Sequence, residues 1–147
     1  MSGDPFDLAR FVSAQAGVFA AACEELRTGR KRTHWMWFVF PQLKGLGHSP
    51  TAQFYGLSGL AEATAYLQHP VLGPRLDTAV AAVMASPAAT LKALFGSPDD
   101  VKFCSSMTLF AIAGPEGPYQ AALERWCGGE HDPRTVELLS RAGGGAA

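Results

Sequence analysis

Again and again along this chain a small polar residue precedes a proline, and a stretch of helix-compatible residues follows. Ser49-Pro50, Ser97-Pro98 and Asp132-Pro133 have this form, and Ser86-Pro87 is a weaker instance. His69-Pro70 and Gly117-Pro118 supply the proline without the cap. A Ser or Asp side chain accepts a bond from the first free N–H groups of a helix, and proline at the first helical position forfeits only a donor that has no partner there. Asp100, three residues after Ser97, adds a capping-box-like acid at the positive helix end. Gly29, Gly96, Gly114 and Gly128 each stand where a left-handed residue ends a helix.

These marks delimit helices at 5–28, 50–55, 60–68, 71–85, 88–95, 98–113, 118–127 and 133–142. Periodicity agrees: Leu8, Phe11, Gln15, Val18, Ala22 and Leu26 recur every three or four residues, as one buried face requires. No strand-like alternation is sustained outside His34–Phe40, whose conformation stays open. The expected fold is all-α, a compact single domain of about six to eight helices over residues 7–141. A short tail over 1–6 precedes it, and a frayed, disordered Gly/Ala tail over 142–147 follows.

Composition narrows the function classes. With 48% apolar and 17% charged residues in 147, the chain can bury one core. A net charge of −1 provides no overall field for nucleic acid or anionic membrane. No apolar run reaches the roughly 18 residues of a membrane span, and Met1–Asp7 lacks the basic start of a secretory signal. Cys23, Cys104 and Cys127 are odd in number and form no C-x-x-C, so core packing, no disulfide and a cytoplasmic location are expected.

Two segments depart from this plain pattern. RTGRKRTHWMWFVFPQLKGLGHS, residues 27–49, gathers Arg27, Arg30, Lys31, Arg32 and Lys44 beside Trp35, Trp37, Phe38 and Phe40, with His34 and Gln42 at either end of the aromatic run. Either the aromatics are core and the charges a solvated turn, or the two together clamp a flat anionic ligand, since rings stack on bases and arginine forks onto phosphate. DDVKFCSSMTLF, residues 99–110, places Ser105, Ser106 and Thr108 mid-helix, with Lys102 a turn before the serines. Hydroxyls inside so apolar a helix need partners: the preceding turn, or a ligand.

KRTHWMWFVFPQLKGLGHS, HPVLGPRL and FGSPDDVKFCSSMTLF together resemble the bacterial family called domain of unknown function 1810, whose members often carry the label calpastatin. The likeness spans about Asp7 to Leu139, and Cys104 stands where a polar residue is more usual. It implies a compact helical domain, carries no established activity, and suggests a link to NAD and ADP-ribose derivatives.

The expected site is a pocket for a nucleotide-like or phosphorylated small molecule. Arg32 and Lys102 would bind phosphate, Trp35 and Trp37 would wall the ligand, His34 and Gln42 would orient it, and Ser105, Ser106 and Thr108 would donate hydrogen bonds. The alternative is a non-enzymatic domain whose basic-aromatic patch meets a protein or single-stranded nucleic acid. If the chain is an enzyme, a hydrolase of nucleotide or ADP-ribose derivatives is expected, though Glu62, Asp77 and Glu124 read as exposed helix acids and no carboxylate pair stands out. His34, His48, His69 and His131 lack metal-ligand spacing, and neither metal nor cofactor is implied.

Overall fold

The structure, a computed structural model, describes residues 4–141 and, beyond them, the backbone of 142–146. Of the expected tails over 1–6 and 142–147, residues 1–3 and 147 lie outside these, and the backbone of 142–146 continues a helix. Among the described residues ten helices follow one another, two more than the upper expectation: α1 (Ala9–Gln15), α2 (Phe19–Thr28), α3 (Met36–Val39), α4 (Pro50–Tyr55), α5 (Leu60–Gln68), α6 (Leu72–Met84), α7 (Leu91–Phe95), α8 (Asp99–Ala113), α9 (Tyr119–Trp126) and α10 (Pro133–Ala146). No strand occurs among the described residues; a single parallel bridge pairs Leu43 with Leu57. No described helix is long and apolar enough to cross a membrane.

The extra helices arise where side-chain pattern says nothing about the backbone. The expected long first helix breaks at Ala16-Gly17: Ala16 turns extended, and Gly17 takes φ +81°, a left-handed conformation that costs glycine little. The apolar spacing runs on across the break, which is why it reads as one helix. The open question over His34–Phe40 is answered by the single turn of α3.

The proline-marked starts are of two kinds. Ser49 Oγ accepts from Ala52 N–H at 3.1 Å, and Asp132 Oδ2 accepts from Thr135 N–H at 3.0 Å, so both caps form as expected. Ser97 does not cap α8: the Ser97-Pro98 peptide is cis, Pro98 takes the cap position, and no side chain bonds there. Asp100 turns onto the adjacent Val101 N–H instead of closing a capping box. Gly114 ends α8 at φ −136°, outside the left-handed region.

α8 is the central helix, with Phe103, Ser105, Ser106, Met107, Thr108, Leu109, Phe110 and Ala111 all buried. α5, α7, α9 and α10 pack around it, and α6 packs on α2, α5 and α9. Trp35, Phe40, Phe95 and Phe103 form an aromatic cluster, with Phe40 and Phe95 each 5.1 Å from Phe103 between ring centroids. Such edge-on and offset contacts add to the area buried.

Two expectations are corrected. Cys104 on α8 and Cys127 at the end of α9 form a disulfide, with Cα atoms 6.0 Å apart. No sequence spacing announces it, because helix packing brings together residues 23 apart. Cys23 alone is a buried, unpaired core cysteine. Glu62 is not exposed: it is 3% accessible, pairs with Arg10 at 2.9 Å, and accepts from Ser58 N–H and Oγ–H. Asp77 is exposed, as expected, and accepts from the Tyr119 hydroxyl at 2.7 Å, tying α6 to α9.

Candidate functional site

The basic-aromatic segment is organised by an acid on α2. Glu25 Oε1 accepts from Arg32 N–H at 2.8 Å, Thr33 N–H at 3.1 Å and Trp35 Nε1–H at 2.9 Å, while Oε2 accepts from the Thr33 hydroxyl at 2.7 Å. Partial burial pushes the Glu25 carboxyl up, but these donors outweigh it and hold the pKa at about 2. The folded pKa is therefore depressed, so the stability Glu25 contributes is full above its ordinary 4.5 and is lost as pH falls through about 2. Urea midpoints measured across that window should fall with pH, and Glu25→Gln should flatten the slope; equal slopes would show that the hub carries no such linkage.

Glu25 thus holds one expected ligand residue, Trp35, in the core. Trp35 is 1% accessible, with its N–H on Glu25 and its ring in the aromatic cluster, so it is core and has no free face for a ligand. Arg32 and His34 are exposed.

The segment and α8 nevertheless meet. Lys31 Nζ and Lys102 Nζ bracket Asp99, at 3.0 Å from Oδ2 and 3.6 Å from Oδ1. Lys102 Nζ also lies 4.6 Å from the centroid of the half-buried Trp37 ring, a cation–π contact. The Trp37 Nε1–H is buried without a partner among the described residues.

Two hydroxyls of α8 bond back to their own turn: Ser105 Oγ–H donates to Val101 O at 3.1 Å, and Thr108 Oγ1–H to Cys104 O at 2.8 Å. Thr108 does a second task, accepting from Asp132 N–H at 2.8 Å and so fixing the start of α10 against α8. Ser106 is fully buried and its hydroxyl has no partner among the described residues.

Beside these groups lies a cavity of about 270 Å³, lined by Gln42, Leu46, Gly47, Pro98, Val101, Lys102, Ser105, Asp132 and Arg134. Three elements converge on it: the loop after α3, the first turns of α8, and the start of α10. The loop is pinned by Leu57 N–H donating to Gln42 O at 2.9 Å and Lys44 N–H to Leu57 O at 2.7 Å. Gly47 approaches α4 so closely that a Cβ there would sit 2.7 Å from Ala52 Cβ, so any larger residue would push the loop off the helix. Lys102 and Arg134 bring positive charge to the cavity, Gln42 an amide, Ser105 a hydroxyl and Asp132 a carboxylate.

A family model described as "Protein of unknown function (DUF1810)" matches residues 5–139. The chain belongs to this family. The fold is similar to the crystal structure of the conserved hypothetical protein Rv1873 from Mycobacterium tuberculosis, at 56% identity and a TM-score of 0.91, covering 93% of this chain and 99% of that one. No curated protein matches.

Set against this DUF1810 fold, the expected site residues separate. Gln42, Lys102 and Ser105 line the cavity, Trp37 touches it through Lys102, and Thr108 acts on it through Asp132. Arg32, His34, Trp35 and Ser106 do not line it. Arg134 and Asp132 also line the cavity, though in the sequence Asp132 marks only a helix cap and a lone arginine in the first turn of a helix gives no signal. Val101, apolar but 56% accessible, stands in the cavity wall.

Proposed function

We propose that this DUF1810 domain binds a small, phosphorylated, nucleotide-like molecule in the cavity between the α3–α4 loop, α8 and α10. One observation carries the reading: two cationic side chains from different helices, Lys102 and Arg134, line the same small cavity with the Gln42 amide. Cations and amides are the usual donors to phosphate oxygens, and arginine adds paired geometry. The cavity, about 270 Å³, lies just under the roughly 300–1,000 Å³ of drug-sized sites, which suits one phosphorylated moiety better than a whole dinucleotide.

Hydrolysis of NAD or ADP-ribose derivatives is the further part of this proposal. Asp132 is the carboxylate it would draw on, and the commitment of its Oδ2 to Thr135 leaves that part with less support than binding. A cytoplasmic location also belongs to the proposal; the Cys104–Cys127 bond weighs against it, because cytosolic thiols are kept reduced. A stacking platform for single-stranded nucleic acid or a protein is the poorer reading, since Trp35 is buried and Lys102 lies over the Trp37 ring.

Thermal-shift measurement against phosphorylated metabolites tests the reading. A ligand at a hundred times its dissociation constant should add about 2.7 kcal/mol of stability. Lys102→Ala and Arg134→Ala should each weaken binding by on the order of tenfold to a hundredfold, the worth of one charge-assisted bond. Silence across the panel, or shifts indifferent to both substitutions, would remove the reading.

A further inference from the structure

Hydrogen-bond donors are only half of what the cavity offers. Asp132 Oδ2 accepts from Thr135 N–H at 3.0 Å and from its hydroxyl at 2.6 Å, whereas Oδ1 makes no hydrogen bond among the described residues. Ser105 has given its proton to Val101 O, so its oxygen is left with lone pairs. Asp132 and Ser105 therefore present acceptors to the same cavity into which Lys102, Arg134 and Gln42 bring donors. A bare phosphate suits only the donors, and the Asp132 charge repels it. A molecule carrying hydroxyl groups beside its phosphate satisfies both sets.

We propose that the ligand class is a phosphorylated polyol, a sugar phosphate: its phosphate is held by Lys102 and Arg134, and its hydroxyls donate to Asp132 and Ser105. This rests on the anion-site reading above and narrows it. The apolar wall at Leu46 and Val101 offers a surface for the C–H face of a sugar.

The test is calorimetric titration of the full chain with two probes, ribose 5-phosphate and ethyl phosphate. Wild type should bind the sugar phosphate at least about tenfold more tightly, the worth of one or two hydrogen bonds to a charged acceptor. Asp132→Asn keeps the helix cap, because Asn caps as well as Asp. It should bring the two affinities together, weakening the sugar phosphate and strengthening ethyl phosphate as the repelling charge is lost. Ser105→Ala should narrow the preference by weakening the sugar phosphate more than ethyl phosphate. Equal binding of both probes by wild type would overturn this inference and leave the anion site standing, as would a preference that survives Asp132→Asn. Failure of both probes to bind would overturn the anion site and this inference together.

Discussion

Replacing Arg10 with alanine is expected to destabilise the domain by about 3–5 kcal/mol, the cost of leaving a buried charge without its partner. The side chains of Arg10 and Glu62 are 10% and 4% accessible, and Arg10 Nη2 reaches Glu62 Oε2 at 2.9 Å. Arg10 also donates to the carbonyls of Phe6 at 2.6 Å, Asp7 at 2.8 Å, Phe54 at 2.9 Å and Gly56 at 3.3 Å. Its guanidinium carbon lies 4.4 Å from the Phe11 ring centroid. One side chain thus ties α1 to the end of α4 and, through Glu62, to α5. The truncation strands the carboxylate and several carbonyls at once. Arg141 is the control: it bonds Glu137 at 2.9 Å, but the two side chains are 70% and 60% accessible, and exposed pairs contribute about 0–1 kcal/mol. Urea unfolding should separate Arg10→Ala from Arg141→Ala widely; coincident midpoints would show that the Arg10 network adds nothing net.

The contrast between Arg10 and Arg141 also shows what the sequence can carry. Glu137 and Arg141 stand four residues apart on one helix and can be paired from the sequence, whereas Arg10 and Glu62 lie 52 residues apart and meet only in the fold, where burial makes theirs the pair that matters. Local chemistry is legible: α4 and α5 fall on the expected 50–55 and 60–68, since a cap, a first-turn proline or a stop acts within a few residues of itself. Backbone choices without a side-chain signature were not legible, as at Ala16-Gly17. Nor were partnerships set by packing, such as Glu25 with Trp35 or Cys104 with Cys127.

The candidate site divides along the same line. The polar stripe of α8 and the neighbouring basic-aromatic segment were visible as local oddities, and Lys102 over Trp37 joins them. Density of aromatic and basic residues is the signal, but a half-buried glutamate collecting N–H groups explains much of it. Arg134 and Asp132 reach the cavity because α10 folds back against α8, a tertiary event pinned by the Thr108 bond to Asp132 N–H.

That return path leads to the second large effect: loss of the Cys104–Cys127 bond should cost about 3 kcal/mol. The two cysteines are 23 residues apart, and closing a loop of that length in the unfolded chain accounts for roughly this much. The lost constraint also bears on the cavity. Cys127 ends α9, and only residues 128–131 separate it from Asp132. With the bond intact, α8 holds that connection on both sides, by Cys104 at its start and by the Thr108 hydroxyl at its end. A Cys104→Ser, Cys127→Ser double variant keeps the Thr108 contact but loses the staple, so it should fold and show a lower unfolding midpoint. Dithiothreitol should lower the wild-type midpoint to that of the double variant and leave the variant unmoved. Cys23→Ser provides the check on specificity: its thiol is buried and unpaired, so it should respond to reductant as wild type does. If oxidised wild type and the double variant unfold at the same urea concentration, the bond stabilises nothing, and α9 is held to α8 by side-chain packing alone.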